Sequence, residues 1–128
     1  MKLEVGMYVR TKDGEIIKIK YVEDVYTSDD NIFIATVVYF GEGFYVNSDD
    51  VKKASHNIID LIEVGDYVNG KKVRKINCHY LYFDDDLQEE VDINDGLELE
   101  DGFIYFESEI ESIVTKEQFE QMQYKVGE

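Results

Sequence analysis

Val5-Gly6-Met7-Tyr8-Val9 and Val64-Gly65-Asp66-Tyr67-Val68 are one phrase written twice, 59 positions apart in a chain of 128 residues. A Gly followed by an apolar, aromatic, apolar run and then a turn is a common opening for a small β unit. The far ends of the two halves keep the same offset. Glu42-Gly43-Phe44 returns as Asp101-Gly102-Phe103, and Asp50-Val51 returns as Glu109-Ile110. Three matches at one offset point to a duplicated unit rather than to chance recurrence of Gly-aromatic phrases. In the middle, Lys18-Ile19 aligns best with Lys75-Ile76, an offset of 57, so the first hairpin of the second unit is expected to be two residues shorter.

Working outward from the phrase, Met7 to Thr11 reads as a strand closed by Lys12-Asp13-Gly14. Glu15 to Val25 reads as its returning partner, with Ile17, Ile19, Tyr21 and Val25 on one face. Residues 26–31 are polar and turn-rich. Ile32 to Phe40 is a near-continuous apolar strand, followed by a turn at Gly41-Glu42-Gly43 and a short strand from Phe44 to Asn47. Ser48-Asp49-Asp50-Val51 reads as a helical turn before a last short strand. The joining stretch from Ala54 to Glu63 holds Ile58-Ile59-Asp60-Leu61-Ile62, too apolar for a flexible linker. In the second half, Asn69-Gly70 is the clearest two-residue hairpin signal in the chain. Lys72 to Phe83 reads as one long strand or two broken ones. Glu90 to Ile93, Leu97 to Leu99 and Phe103 to Phe106 read as short strands separated at Asp95-Gly96 and Asp101-Gly102. Thr115-Lys116-Glu117-Gln118 has the form of a helix capping box, and Phe119 and Met122 share a face of the short helix that follows.

The composition agrees with strands. Ten Tyr and seven Phe fit a pleated, half-buried surface, and with no Pro every turn rests on Gly, Asn or Asp. Half-chains of about 60 residues are marginal alone, so the two units are expected to pack together and share core. These readings place an all-β fold with minor α content: two tandem SH3-like small β-barrels, packed together, with a short C-terminal helix. The first SH3-like unit spans residues 1–59. The second, acidic unit with the helix spans 60–128. No apolar run approaches the length of a membrane span, and no basic-then-apolar segment stands at the N-terminus. One Cys builds no internal disulfide. A cytoplasmic protein is expected.

The formal net charge is −16 and unevenly spread. Residues 1–59 hold 7 Lys and Arg against 10 Asp and Glu, whereas residues 60–128 hold 6 against 19. Between positions 84 and 111 there are 13 carboxylates and no Lys or Arg: Asp84, Asp85, Asp86, Glu89, Glu90, Asp92, Asp95, Glu98, Glu100, Asp101, Glu107, Glu109 and Glu111. Such a field opposes direct binding to nucleic acid or an anionic membrane and attracts a basic protein surface. Three readings stand for the block. It is a solvated face that keeps a small β protein soluble, a surface for a basic partner, or a weak divalent-cation site. Alternate carboxylates on a strand repeat every ~6.6 Å, close to the phosphate spacing of a nucleic-acid strand, so mimicry of nucleic acid falls under the second reading. The EF-hand pattern fails: counted from Asp84 the sixth position is Glu89, and counted from Glu90 it is Asp95, where Gly is needed.

Other chemistry is sparse. Cys78-His79 on a strand points to opposite faces and cannot ligate one metal, and His56 with no second Cys completes no zinc set. A pairing of Cys78 with His56 stays open beside the plainer reading of a packed core thiol. No phosphate loop and no Gly-x-Ser-x-Gly is present. Lys71, Lys72, Arg74 and Lys75, near Tyr67, Tyr80 and Tyr82, read either as a small nucleic-acid patch or as a hairpin neutralised by acidic neighbours. No enzyme, no metal and no cofactor are expected.

The phrase from Ala54 to Gly70 and the tail Ile110-Glu111-Ser112-Ile113-Val114-Thr115-Lys116-Glu117-Gln118-Phe119 resemble segments of small proteins of phages and mobile elements of Gram-positive bacteria. The resemblance implies an accessory protein of a phage or prophage, and it carries over no active-site residue. Small acidic phage proteins include inhibitors of host defence nucleases, anti-CRISPR proteins among them; that association is one of class. The expectation is a non-enzymatic accessory protein that binds a basic groove of a host protein in the host cytoplasm through the 13 carboxylates. The alternatives are a self-associating phage assembly protein, hence a homo-oligomer, and a small-ligand-binding module.

Overall fold

The computed structural model of the chain describes residues 2–41 and 44–122, the side chain of Ile34 excepted. Most of the turn expected at Gly41-Glu42-Gly43 lies outside the described residues. The chain divides into two compact units, Met1–Leu61 and Ile62–Glu128.

The first unit runs β1 (Tyr8–Thr11), β2 (Ile16–Lys18), β3 (Tyr21–Tyr26), β4 (Phe33–Gly41), β5 (Phe44–Asn47), a 3-10 turn (Ser48–Asp50), β6 (Val51–Ser55) and a second 3-10 turn (Ile58–Leu61). Two three-stranded sheets result, in the orders β2-β1-β6 and β3-β4-β5, with every pairing antiparallel. Val9, Ile19, Val38 and Val51 form the core, with Leu3, Met7, Ile17, Val22, Val46 and Ala54 packed on it. Each such aliphatic side chain contributes about 1.5–3 kcal/mol when fully buried.

One expectation is corrected here. Residues 15–25 do not run as one strand with a single buried face. Ile19 still belongs to the first pairing, because its amide donates to the Met7 carbonyl at 2.8 Å, whereas the Lys20 amide donates to Tyr39 at 2.9 Å. The chain changes partner between these two residues, and the pleat slips by one. Ile17, Ile19 and Val22 therefore point inward, and Tyr21 is left 55% exposed on the outer face.

The second unit runs β7 (Tyr67–Val68), β8 (Lys71–Asp84), β9 (Glu89–Leu99), β10 (Ile104–Tyr105), a 3-10 turn (Glu107–Glu109), β11 (Ile113–Val114) and α1 (Lys116–Met122). Its strands make one sheet in the order β10-β9-β8-β7-β11. The fold is thus mostly β with one short helix, and no closed barrel is found among the described residues.

Asp95-Gly96 is not a turn. β9 continues through it, with Gly96 opposite Cys78 and a shift of register on either side of that pair. A Cβ at Gly96 would lie 2.6 Å from Cγ2 of Ile104 and 3.1 Å from the Cys78 carbonyl, so close packing under β10, not a bend, excludes a side chain there. Asn69-Gly70 is the hairpin turn expected, with φ of 52° and 80°. The hairpin it closes is five residues shorter than its counterpart, not two. Tyr67 faces Lys72 where Tyr8 faces Lys18, an offset of 54 on the returning strand.

With that register, the two units follow one plan. Gly6 and Gly65 adopt φ of 91° and 97° and donate to Ile19 and Val73 respectively, both at 3.0 Å. Such a φ strains any residue with a Cβ, which explains the glycine in both copies of the phrase. Val9 and Val68 are fully buried, as are Ile19 and Val73, and Val38 and Leu97, at equivalent places. The 3-10 turns Ser48–Asp50 and Glu107–Glu109 sit 59 residues apart.

Candidate functional site

The distal half of the β8–β9 hairpin gathers the largest share of the acidic block. Tyr80 faces Ile93, Leu81 faces Asp92, Tyr82 faces Val91, Phe83 faces Glu90 and Asp84 faces Glu89. Strand alternation then sorts these side chains onto two faces. On one, Tyr80, Tyr82 and Phe106 form a ring cluster with centroids 5.7–6.4 Å apart. On the other, Leu81 (53% exposed) and Phe83 (55%) stand in solvent directly across from Asp92 and Glu90.

The turn at residues 85–88 is held by the one carboxylate that precedes it. Asp84 Oδ1 accepts the amides of Asp86 (2.9 Å) and Leu87 (3.2 Å), and Gln88 takes the left-handed φ of 56° that ends the turn. Asp85, Asp86, Glu89 and Glu90 are left exposed around Leu87, itself 61% exposed. The connection expected to be merely acidic is a tight hairpin tip that presents carboxylates and apolar side chains together.

The remaining predicted residues lie elsewhere. Nine residues of strand, about 30 Å, separate Glu89 from Glu98. Glu98 receives Arg74 Nε at 2.8 Å. Asp101 holds Lys71 Nζ and the Tyr105 hydroxyl, each at 2.8 Å, and accepts the Phe103 amide at 3.0 Å. The Lys71 ammonium is its main stabiliser and holds the Asp101 carboxyl down at about 2, from an ordinary 3.8, while Lys71 is raised in return. Glu109 Oε1 accepts the Phe106 amide at 3.0 Å and so closes the turn that starts at Glu107. The Glu111 amide donates to Asn69 at 2.8 Å. Asp95 and Glu100 are exposed, the first within β9 and the second in the turn after it. Alternate carboxylates along β9 number two, Glu90 and Asp92, because Asn94 and Gly96 occupy the next places of the stripe.

The basic cluster is largely neutralised at Lys71 and Arg74 by those two carboxylates. Cys78 is half-buried opposite Gly96, and His79 is exposed with Nε2 at 2.5 Å from Asp92 Oδ1. His56 Nε2 lies 3.2 Å from Glu4 Oε2. Among the described residues, no group of three or more His, Cys, Asp or Glu converges to hold a metal ion, and no helix is long and apolar enough to cross a membrane.

Sequence reasoning missed a second surface, in the first unit. Tyr21, Tyr39 and Tyr45 face one another across β3, β4 and β5, with centroids 5.6 and 5.7 Å apart. The Tyr39 hydroxyl donates to Glu23 at 3.1 Å, and that carboxylate acceptor raises the phenol above its ordinary 10.0. The change of pairing partner at Lys20 is what turns Tyr21 outward, and no local pattern marks it.

Comparison with protein-family models, with curated proteins and with solved structures returns no match.

Proposed function

We propose that this chain is a non-enzymatic accessory protein of a phage or mobile element, made of two tandem SH3-like β units and binding a basic surface of a host protein. The shared strand plan of the units supports the tandem SH3-like reading: in each, the first strand pairs with the second and with the last, and a 3-10 turn precedes the last strand. The single observation that carries the binding reading is the tip of the β8–β9 hairpin. There exposed Leu81 and Phe83 stand across from Asp92 and Glu90, and exposed Leu87 sits in the turn between Asp85, Asp86 and Glu89, with no Lys or Arg from Tyr80 to Asp92. Carboxylates steer a basic partner in, and the apolar side chains supply area that is desolvated on contact.

The partner's basic groove is one that otherwise takes nucleic acid, as in a defence nuclease of the host cytoplasm. Mimicry comes from the density of charge at the tip rather than from a long carboxylate stripe. The test is capture from host lysate by the wild-type chain and by a variant carrying Asp85→Lys, Asp86→Lys and Glu89→Lys. The wild type should retain a basic protein that a short DNA or RNA duplex releases, and the reversed variant, with unchanged circular dichroism, should not. Equal capture by both chains, or capture that nucleic acid leaves untouched, would sink the proposal.

A further inference from the structure

We infer that the β3–β4–β5 sheet of the first unit is a homodimer interface, in which β5 pairs antiparallel with β5 of a second copy. Two of its three strands, β4 and β5, are free of charge in a chain where charge is dense, and Glu23 and Asp24 are confined to β3. Residues 31–41 and 44–47 contain no Asp, Glu, Lys or Arg, although one residue in three of the whole chain is charged. The same stretches keep large apolar side chains in solvent: Phe44 is 64% and Tyr45 62% exposed on β5, and Ile32 and Phe33 are exposed at the opposite end of β4. Isolated exposed aromatics are ordinary, but a ladder of them spanning three strands is not.

The charge pattern selects the occupant. A basic partner gains little from β4 and β5, which carry no carboxylate, when the other unit carries most of the negative charge. A second copy carries the same −16 and is repelled wherever charged surfaces meet. Two copies approach at least cost along β5 and β4, the strands of this sheet that carry no charge, since at physiological salt fields fade over about 8 Å. Glu23, the carboxylate bound to Tyr39, is on β3, two strands in from β5. Strand spacing puts it about 12 Å from a dyad on the β5 edge, beyond that range.

The backbone supplies the geometry. β5 is an edge strand of its sheet, and an edge presents amides and carbonyls that another strand can pair. An antiparallel pair of identical strands has a two-fold axis and makes an isologous contact. With Tyr45 opposite Tyr45 of the second copy, the tyrosine ladder continues across the dyad and the sheet reaches six strands. The same register puts Phe44 across from Val46 of the second copy, which covers the most exposed ring of the strand.

Sedimentation equilibrium on the full chain, from about 5 to about 500 µM, tests this directly. The expected mass rises with concentration from 15.0 kDa towards twice that value. Tyr45→Glu sets two carboxylates face to face and removes a ring pair, and should weaken the dimer at least about tenfold. A monomer at every concentration overturns the inference and leaves the face to some other occupant. So does a Tyr45→Glu chain that associates as the wild type does. Should Tyr45→Glu fail to fold, a Tyr45→Cys, Cys78→Ser chain gives an independent reading. Mild oxidation should convert it to a disulfide-linked dimer, while Tyr26→Cys in the same background stays monomeric; equal cross-linking of the two sites overturns the proposed register. The outcome is separable from the host-partner test, because the hairpin variants leave this sheet untouched.

Discussion

Asp101 shows how far one carboxylate's meaning depends on its neighbours. In the sequence it is one of 13 acidic residues with no basic residue among them, indistinguishable from Asp85 or Asp86. In the fold it accepts Lys71, the Tyr105 hydroxyl and the Phe103 amide, and so ties the β9–β10 turn to the start of β8. Its depressed pKa makes a sign-definite prediction. A carboxyl lowered to about 2 contributes stability that is complete above its ordinary 3.8 and is lost as pH falls through about 2. The stability difference between the wild type and Asp101→Asn should therefore be constant from pH 5 to 7 and shrink between about 4 and 2, read by urea unfolding. Lys71, shifted upward, contributes below its ordinary 10.5, and its share disappears only as pH rises beyond that value. A difference that grows on acidification would contradict this assignment. The long separation of Lys71 and Asp101 explains why the pair was invisible in the sequence: only strand pairing brings residues 30 apart together.

At the scale of elements, the repeated phrase differs at one informative position. In the first unit the Glu4 amide meets Met7 Sδ at 3.3 Å; in the second, the Glu63 amide donates to Asp66 Oδ2 at 2.7 Å. The other oxygen of Asp66 accepts the Lys116 amide at 2.8 Å, the first residue of α1. Asp66 is fully buried, and it anchors a helix that has no counterpart among the described elements of the first unit. α1 then closes its own end through the capping box, with Gln118 N donating to Thr115 Oγ1 at 3.3 Å and Thr115 N to Gln118 Oε1 at 3.2 Å. Phe119 stacks on Tyr67 at 4.4 Å, whereas Met122 stays 67% exposed. Seven residues are too few to be helical unaided. Asp66→Met, which writes the first unit's residue into the second, should cost about 2–4 kcal/mol and release the helix while leaving the β signal. Urea unfolding measures the first effect and the loss of helical circular dichroism the second. An Asp66→Met chain with its helix intact would show that the capping box, the Lys116–Glu63 ion pair and the Tyr67 stacking suffice without the Asp66 anchor. The capping box and the Asn69-Gly70 turn were legible because each is written in consecutive residues. The Asp66 anchor was not, because its partner lies 50 residues away.

For the whole molecule, the division of charge separates two surfaces with opposite salt responses. Contact with a basic partner at the β8–β9 tip should weaken as salt rises, and pairing of two chains of charge −16 through the uncharged β5 edge should strengthen. Titrating sodium chloride from about 0.05 to 0.5 M against both equilibria checks this, and parallel responses would count against assigning them to different faces. The sequence alone determined what is local or statistical: strand-rich composition, hairpin turns, the capping box, the periodic phrase and the location of negative charge along the chain. Each follows from a residue's own conformational preference or from its immediate neighbours. Tertiary structure decided what depends on register. It turned Tyr21 outward at Lys20, ran β9 through Gly96, shortened the second hairpin by five residues, neutralised Glu98 and Asp101 with Arg74 and Lys71, and left Asp85, Asp86, Glu89 and Glu90 exposed at the hairpin tip. A one-residue slip in a strand reverses which side chains face the core, and the pairing energy that sets the slip lies in another part of the chain.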